Sequence, residues 1–526
     1  MQLFKFKEIS QNNLIIVFSF FLTTFYNFQY FEVLKNWIYV SHTPRIYFLL
    51  IFQLLLIINL IFITLIAHNR FIKFLLISIL LISTISAYFI DTYKVIINEE
   101  MLFNAIETNW NEVSDLMSLE FSLYLFFLFL IPSIFIYKLQ IKKSNYKKQL
   151  KTISFSLFLY ISILSLMLFF ASSFFSSFLR DQKHINYYAN PINTFDAIIG
   201  IISDTNNKIL PHKIIGLDAK KNNSDKRNIV IMIVGETARA DRFALNDYPR
   251  NTNPKLLERE LVNFSNVYSC ATNTRLSVPC MFSHKDREDF DVKKFKYTDN
   301  VLDILDRVGV KILWRDNNSS SKNVADRVIF ESFLSSDLNP VCDNECRDEG
   351  MVIGLEKFIR ANKEDDVLIV LHSMGSHGPA YYQRVPDERK LFFPECKTNQ
   401  LEKCTKQELT NSYDNTIVYT DFFIDKVIKF LETYKQKANV HMIYVSDHGE
   451  SLGENSLYLH GLPYFIAPVE QKHVPLIYWT NNMNSYEVAS KKSTKKHSHD
   501  NIFHSLLGLY GVETSLYKKD LDLFTN

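Results

Sequence analysis

Four short stretches concentrate the side chains that do chemistry. They are Gly235-Glu236-Thr237, Thr272-Asn273-Thr274, Ser376-His377-Gly378 and Ser446-Asp447-His448-Gly449-Glu450, with His460 twelve residues beyond His448. Glu, Asp and His around one centre make an oxygen-and-nitrogen donor set that suits Zn²⁺ better than Ca²⁺ or a thiolate-loving metal. A threonine hydroxyl completing that shell would lose its proton far more readily than in water, and the same ion would neutralise charge on a phosphoryl group. Taken singly, each stretch has a plainer reading. An Asp-His pair after a strand is usually a helix cap beside a hydrogen-bonded histidine, and a lone Thr274 more often caps a helix than attacks phosphorus. The argument is their joint placement.

That placement follows from the apolar runs before them. Runs at 229–234, 309–314, 367–371 and 441–445 are wholly apolar or nearly so, and helical patterns such as 299–307 and 411–434 separate them. Short strands of this kind alternating with helices predict a parallel sheet covered on both faces. Functional residues in such sheets gather past the carboxyl ends of the strands. Glu236 closes the first run, His372 and His377 follow the third, and Asp447-His448 follow the fourth.

The first third of the chain is different. Five apolar runs, at 13–31, 46–67, 71–90, 121–137 and 153–175, each approach the ~20 residues a helix needs to cross ~30 Å of hydrocarbon. Lys5, Lys7, Arg70, Lys73 and the cluster from Lys138 to Lys151 fall in segments on one side of the five crossings, which puts that side in the cytoplasm. The intervening segment 91–120 holds seven carboxylates and one lysine. Five crossings place residues 176–526 outside the cytoplasm. The first run lacks a small-residue cleavage site and reads as an anchor. The expected organisation is a membrane domain at 1–175, a bridge at 176–227 and a catalytic domain at 228–526. The net charge of +2 points to no particular partner, and no nucleic-acid partner is expected.

Six cysteines, at 270, 280, 342, 346, 396 and 404, all lie in the second part. They form three local pairs, which suggests disulfides 270–280, 342–346 and 396–404 in an oxidising compartment. A zinc ribbon fits poorly, because no C-x-x-C occurs.

Longer motifs surround these residues: VGETARADRF at 234–243, CATNTRLSVPCMFS at 270–283, WRDNNSSSK at 314–322, HSMGSHGPAYY at 372–382 and VSDHGESLGE at 445–454. Together they resemble the phosphoethanolamine transferases of Gram-negative bacteria, which include lipid A phosphoethanolamine transferases and mobile colistin-resistance enzymes. That family belongs to the alkaline phosphatase and sulfatase superfamily. The resemblance implies a five-helix membrane domain and a sulfatase-like α/β domain in the periplasm, anchored at the inner membrane. It implies that Glu236, Thr274, Asp447 and His448 ligate zinc, with Thr274 as nucleophile. His377 and His460 match histidines that bind substrate or a second zinc ion; one tight zinc site is expected, with a second left open. Asn318 and Lys322 match a phosphoethanolamine-binding pair. Asn104, Thr108 and Glu112 match substrate contacts, and their i, i+4, i+8 spacing puts them on one helix face.

The implied reaction moves phosphoethanolamine from phosphatidylethanolamine to lipid A or another lipopolysaccharide acceptor through a phosphoethanolamine-threonine, and so confers polymyxin resistance. A monomer is expected. The competing readings are a glycerophosphotransferase using phosphatidylglycerol, and transfer to a core sugar or a protein. A sulfatase is disfavoured, because Met281 stands where that motif requires arginine. The chain departs from the family pattern at Ala271 and at Arg275, directly after the nucleophile.

Overall fold

The computed structural model describes residues 8–40, 43–66, 71–107, 116–142, 145–172, 174–175, 178, 182–205, 210–222 and 226–525. The chain divides into two compact units. Unit 1 comprises Met1–Ile106 and Leu116–Asn207; unit 2 comprises Glu107–Asp115 and Lys208–Asn526.

Unit 1 is helical. Helices α3 (Ile46–Ile66), α4 (Ile72–Tyr93), α6 (Leu119–Lys138) and α7 (Lys147–Phe170) are each long and apolar enough to cross a membrane. Helices α1 (Gln11–Phe25) and α2 (Phe28–Val40) meet at 61°, and counting this bent pair as one span gives five crossings. The expected run 13–31 is therefore broken in its middle. The cause is Asn27, whose side-chain amide donates to the Leu22 carbonyl (3.1 Å) and the Asn190 carbonyl (2.8 Å) and accepts from the Asn190 amide (2.9 Å). In an apolar unit, polar backbone groups released at a break must be satisfied internally, and Asn27 does this. The short helix α5 (Glu99–Glu107) follows α4.

Unit 2 is built on an eight-stranded sheet. Its strands are β1 (Asn228–Gly235), β2 (Val262–Tyr268), β3 (Lys311–Asp316), β4 (Ile329–Ser332), β5 (Val367–His372), β6 (Asn439–Ser446), β7 (His473–Thr480) and β8 (His497–Ser498). The spatial order is β8-β2-β7-β6-β1-β5-β3-β4. The centre, β6-β1-β5-β3-β4, is parallel throughout; the apolar runs predict β1, β3, β5 and β6, and β4 is an addition. Only β7 is reversed, antiparallel to both β6 and β2.

Strand β1 shows why the sequence must sit this way. Alternate residues Val230, Met232 and Val234 enter one core, and Ile229, Ile231 and Ile233 enter the other. Both faces are dry, so every position is apolar. One face is covered by helix α9 (Lys406–Glu432), which starts at a capping box between Thr405 and Glu408. Its Ile417, Ile424 and Ile428 pack into the same core as the β1 isoleucines. Each such side chain contributes roughly 1.5–3 kcal/mol by leaving water. The other face receives α8 (Thr274–Met281) and α10 (Asp500–Leu509), through Val278, Met281, Phe503 and Leu506.

Candidate active site and metal centre

Register brings the chemistry together. Gly235 pairs with Ser446 and Val234 with His372, so β1, β5 and β6 end side by side. The next residues, Glu236, Ser373 and Asp447, all emerge at one rim. Two glycines allow the loops above that rim to close. Gly375 has φ +52°, and a Cβ there would lie 2.8 Å from the Glu236 carbonyl oxygen. A Cβ on Gly449 would lie 2.0 Å from the Glu470 carbonyl oxygen. Thr237 is held at φ +51°, an uncommon region for a β-branched residue. Its amide donates to Asp447 Oδ1 (3.1 Å) and its carbonyl accepts from the Tyr413 hydroxyl (2.7 Å), so two fixed partners hold the strain.

Thr274 is the first residue of α8. Asn273 caps the helix by accepting from the Leu276 amide at 3.0 Å. The threonine hydroxyl lies 3.2 and 3.1 Å from the two Glu236 carboxylate oxygens and 3.4 Å from His448 Nε2. The residue is 9% exposed. At the first turn of a helix, exposed amides and the dipole favour an anionic phosphoryl group.

The donor atoms of Glu236, Asp447 and His448 lie within 4.8 Å of one another, and all three residues are fully buried. His448 Nδ1 is 2.9 Å from the Gly449 carbonyl, which can only accept, so Nδ1 carries the proton and Nε2 presents its lone pair. Nε2 then faces Asp447 Oδ2 at 3.3 Å and Glu236 Oε1 at 3.4 Å. These are three acceptors with no proton between them. Asp447 Oδ2 has no hydrogen-bond partner among the described residues. Burial pushes the Asp447 carboxyl up and the His448 imidazole well down, and a bound cation would favour the ionised carboxylate there. The residues present fit a metal ion.

Around this centre, Asn318 donates to Glu236 Oε2 and to the Ser373 carbonyl, both at 2.9 Å. Lys322, at φ +50°, donates to the Ser319 carbonyl at 2.9 Å. His377, His460 and His448 form a row, with ring centroids 5.7 and 4.4 Å apart. Burial first, and then His460, hold the His377 imidazole well below the ordinary histidine range. Arg275 is half-buried in the first turn of α8. Asn104 lies in α5, but its side chain is outside the description; Thr108 and Glu112 lie outside the described residues altogether. All six cysteines are paired: Cys270–Cys280, Cys342–Cys346 and Cys396–Cys404.

Two supporting residues, Asp348 and His499, escaped the sequence reading, and a third, Glu450, was named in its motif without a role. Glu450 lies 3.1 Å from His460 Nδ1; its place two residues past His448 was the available signal. Asp348 accepts from the Met374 and Gly375 amides (2.8 and 3.0 Å) and from the Asn317 side chain (2.8 Å), fixing the loop that leads to His377. His499 ties the end of β6 to the loop before Thr274, and nothing in its sequence spacing marks it.

The chain matches two family profiles: "Sulfatase" over residues 228–512 and "Phosphoethanolamine transferase EptA/EptB" over 54–205. It is 40% identical over 475 residues to phosphatidylethanolamine transferase Mcr-2 of Escherichia coli, covering 87% of each chain. It is 39% identical over 459 residues to phosphoethanolamine transferase EptA of Escherichia coli K12, covering 84% of this chain and 83% of that one. The lipooligosaccharide phosphoethanolamine transferase A structure from Neisseria meningitidis superposes with a TM-score of 0.94 at 31% identity, covering 98% of this chain and 99% of that one. The periplasmic domain of EptC from Campylobacter jejuni gives a TM-score of 0.55 at 40% identity, covering 60% of this chain and 97% of that one.

Proposed function

Because this chain belongs to the phosphoethanolamine transferase family, we propose that it moves phosphoethanolamine from phosphatidylethanolamine to lipid A, through a covalent adduct on Thr274. The observation that carries the mechanism is the Thr274 hydroxyl, 3.1–3.4 Å from Glu236 and His448 at a helix N-terminus. We place the catalytic domain at 228–526, joined through 176–227 to the membrane domain at 1–175. The enzyme resides in the inner membrane with its catalytic unit in the periplasm. The three disulfides, all in unit 2, agree with an oxidising compartment.

Glu236, Asp447, His448 and Thr274 would hold one zinc ion; bound there, it would acidify the threonine hydroxyl and neutralise phosphoryl charge. The donor set of two carboxylates, an imidazole and an alcohol supports zinc over calcium. Glu236 orients the hydroxyl, and Asn318 orients Glu236. Thr274 Oγ1 attacks the phosphorus of phosphatidylethanolamine; the bond to the glycerol oxygen breaks, and diacylglycerol leaves with a proton. An oxygen of the lipid A phosphate then attacks the adduct and regenerates the threonine. His460, held through Nδ1 by Glu450 and lying between His377 and His448 in the row, serves the leaving oxygen's proton. His377 and Lys322 stabilise the phosphoryl oxygens, and Asn318 with Lys322 binds the phosphoethanolamine group. Asn104, Thr108 and Glu112 contact the donor headgroup, where Glu112 can pair with the ethanolammonium. One chain supplies every donor of the centre, so a monomer suffices.

The name of one relative, a lipooligosaccharide phosphoethanolamine transferase, supports a lipopolysaccharide-type acceptor; that of a more distant one, a Kdo(2)-lipid A phosphoethanolamine 7''-transferase 31% identical over 327 residues, points instead to a sugar carbon. An added ethanolammonium offsets lipid A's negative charge and weakens binding of cationic peptides such as polymyxin. The test is mass spectrometry of lipid A from cells with and without the gene. One phosphoethanolamine increment that depends on Thr274 is expected. An increment on core sugar or protein would move the acceptor, and consumption of phosphatidylglycerol would move the donor.

A further inference from the structure

His460 opens a loop that runs to Gln471, and the loop is anchored at its base. The Gly461 amide donates to the Thr272 carbonyl (2.8 Å), and the Thr272 hydroxyl donates to the Leu462 carbonyl (2.6 Å). The Gln471 side chain donates to the Leu459 carbonyl at 3.1 Å. Leu462 and Ala467 are buried, but Phe465 is 70% exposed and Val469 49% exposed.

A lone exposed apolar side chain needs no explanation. This one has three companions that do. It rides on the loop of a catalytic histidine, two hydrogen bonds from the nucleophile loop. Tyr464, its neighbour, lies under the Arg287 guanidinium (3.9 Å to the ring centroid) and beside the Lys472 ammonium (5.1 Å). Lys472 also donates to the Tyr464 carbonyl at 3.2 Å. A fixed base, an apolar tip and two cations behind an aromatic ring make the pattern of a segment at a bilayer interface. There, apolar groups enter the acyl region and cations stay at the level of the phosphates.

We propose that the loop from Gly461 to Gln471 seats on a phospholipid bilayer surface. Phe465 enters the acyl chains, and Arg287 and Lys472 meet lipid phosphates. The docking would hold the histidine row and Thr274 at the depth where a phospholipid headgroup presents its phosphorus. The kinetic part of the proposal rests on the transfer reading above; the docking part does not.

The test uses the full-length chain in vesicles of phosphatidylethanolamine and phosphatidylglycerol. In Phe465→Trp, the emission added to that of the four native tryptophans is expected to be blue-shifted and quenched by lipids spin-labelled high on the acyl chain. Red-shifted, unquenched emission overturns the docking, whatever the enzyme's substrate. In Phe465→Ser, KM for long-chain phosphatidylethanolamine should rise about fivefold, the loss of roughly 1 kcal/mol of apolar contact. Turnover of a water-soluble aryl ester of phosphoethanolamine should stay within about twofold, and Phe465→Leu should restore the lipid KM. Equal losses on both substrates would make Phe465 a packing residue and overturn the proposal. A wild-type protein inert toward both substrates would sink the transfer reading, and the quenching would then decide the docking alone.

Discussion

His499 Nε2 lies 3.0 Å from the carbonyl oxygen of Ser446, the last residue of β6, so the imidazole fastens that strand end from behind. A carbonyl accepts, so Nε2 carries the proton. Nδ1 therefore takes the Cys270 amide at 3.1 Å, with the Ser277 hydroxyl 3.2 Å away. Ser277 in turn donates to the Asp447 carbonyl at 2.5 Å. One ring thus joins the loop before Thr274, helix α8 and the end of β6 that leads into Asp447 and His448.

Replacing that ring should loosen the centre from outside. His499→Ala is expected to cost about 1–3 kcal/mol by leaving buried partners unsatisfied. It should also lower kcat on the order of tenfold or more, since small displacements of a nucleophile are costly. His499→Gln, which can still donate and accept, should recover part of both. Thermal melts and steady-state kinetics read the two effects separately; unchanged kcat in the alanine variant would contradict the positioning role.

Thr274→Ala should abolish the covalent adduct and reduce transfer by about three orders of magnitude or more. Thr274→Ser should retain measurable transfer, because the hydroxyl remains. Intact-protein mass spectrometry after exposure to phosphatidylethanolamine is the check, with the adduct present in wild type and absent in the alanine variant.

Chelation should remove activity and stability together. Stripping the metal leaves the buried Asp447 Oδ2 and His448 Nε2 facing each other at 3.3 Å. A binder specific to the folded state stabilises by roughly 4 kcal/mol at a thousandfold excess over its dissociation constant. A strong chelator should lower the melting temperature by several degrees, and zinc should restore both melting and transfer. Restoration by calcium alone would contradict the donor-set argument.

A histidine away from the centre contributes to acid sensitivity. His441, on β6, is buried beside the Tyr478 hydroxyl (2.7 Å), and burial pushes its imidazole down to about 3 from the ordinary 6.5. The unfolded chain gains this proton below 6.5, while the folded chain resists it until about 3. Stability is unaffected above pH 6.5 and is lost progressively as pH falls below it, by about 2 kcal/mol at pH 5. His441→Gln should make the melting profile between pH 7 and 5 less steep, with buried His499 and His504 still contributing. An equally steep profile in that variant would assign the acid sensitivity elsewhere.

Four strands of the parallel centre were legible because β1, β5 and β6 are apolar almost throughout and β3 carries the apolar stretch Ile312–Trp314, a signature of strands covered on both sides. The same logic missed β2 and β7, and the short β4 and β8. Val262–Tyr268 has polar residues at Asn263, Ser265 and Asn266, and His473–Thr480 contains Pro475. The start of α9 was placed at 411, although Thr405 and Glu408 carry the capping-box signal five residues earlier. Glu236, Thr274, Asp447 and His448 could be read because strand ends and local motifs carry them. Asp348 and His499 could not, because each acts on backbone groups that are near only in space. Likewise, counting apolar residues over 13–31 passes across Asn27, since one amide barely changes an average yet ends a helix.

The three candidate metal donors and Thr274 beside them come from three widely separated segments, around 236, 274 and 447–448. A ribosome must therefore deliver some 210 further residues after Glu236 before the last donor exists, and β6 must dock beside β1 before it points inward. The centre is consequently a late event in maturation and acts as an inspection of it. A chain that misplaces any of the intervening crossovers does not yield a weaker or altered catalyst; it yields one without a reactive threonine.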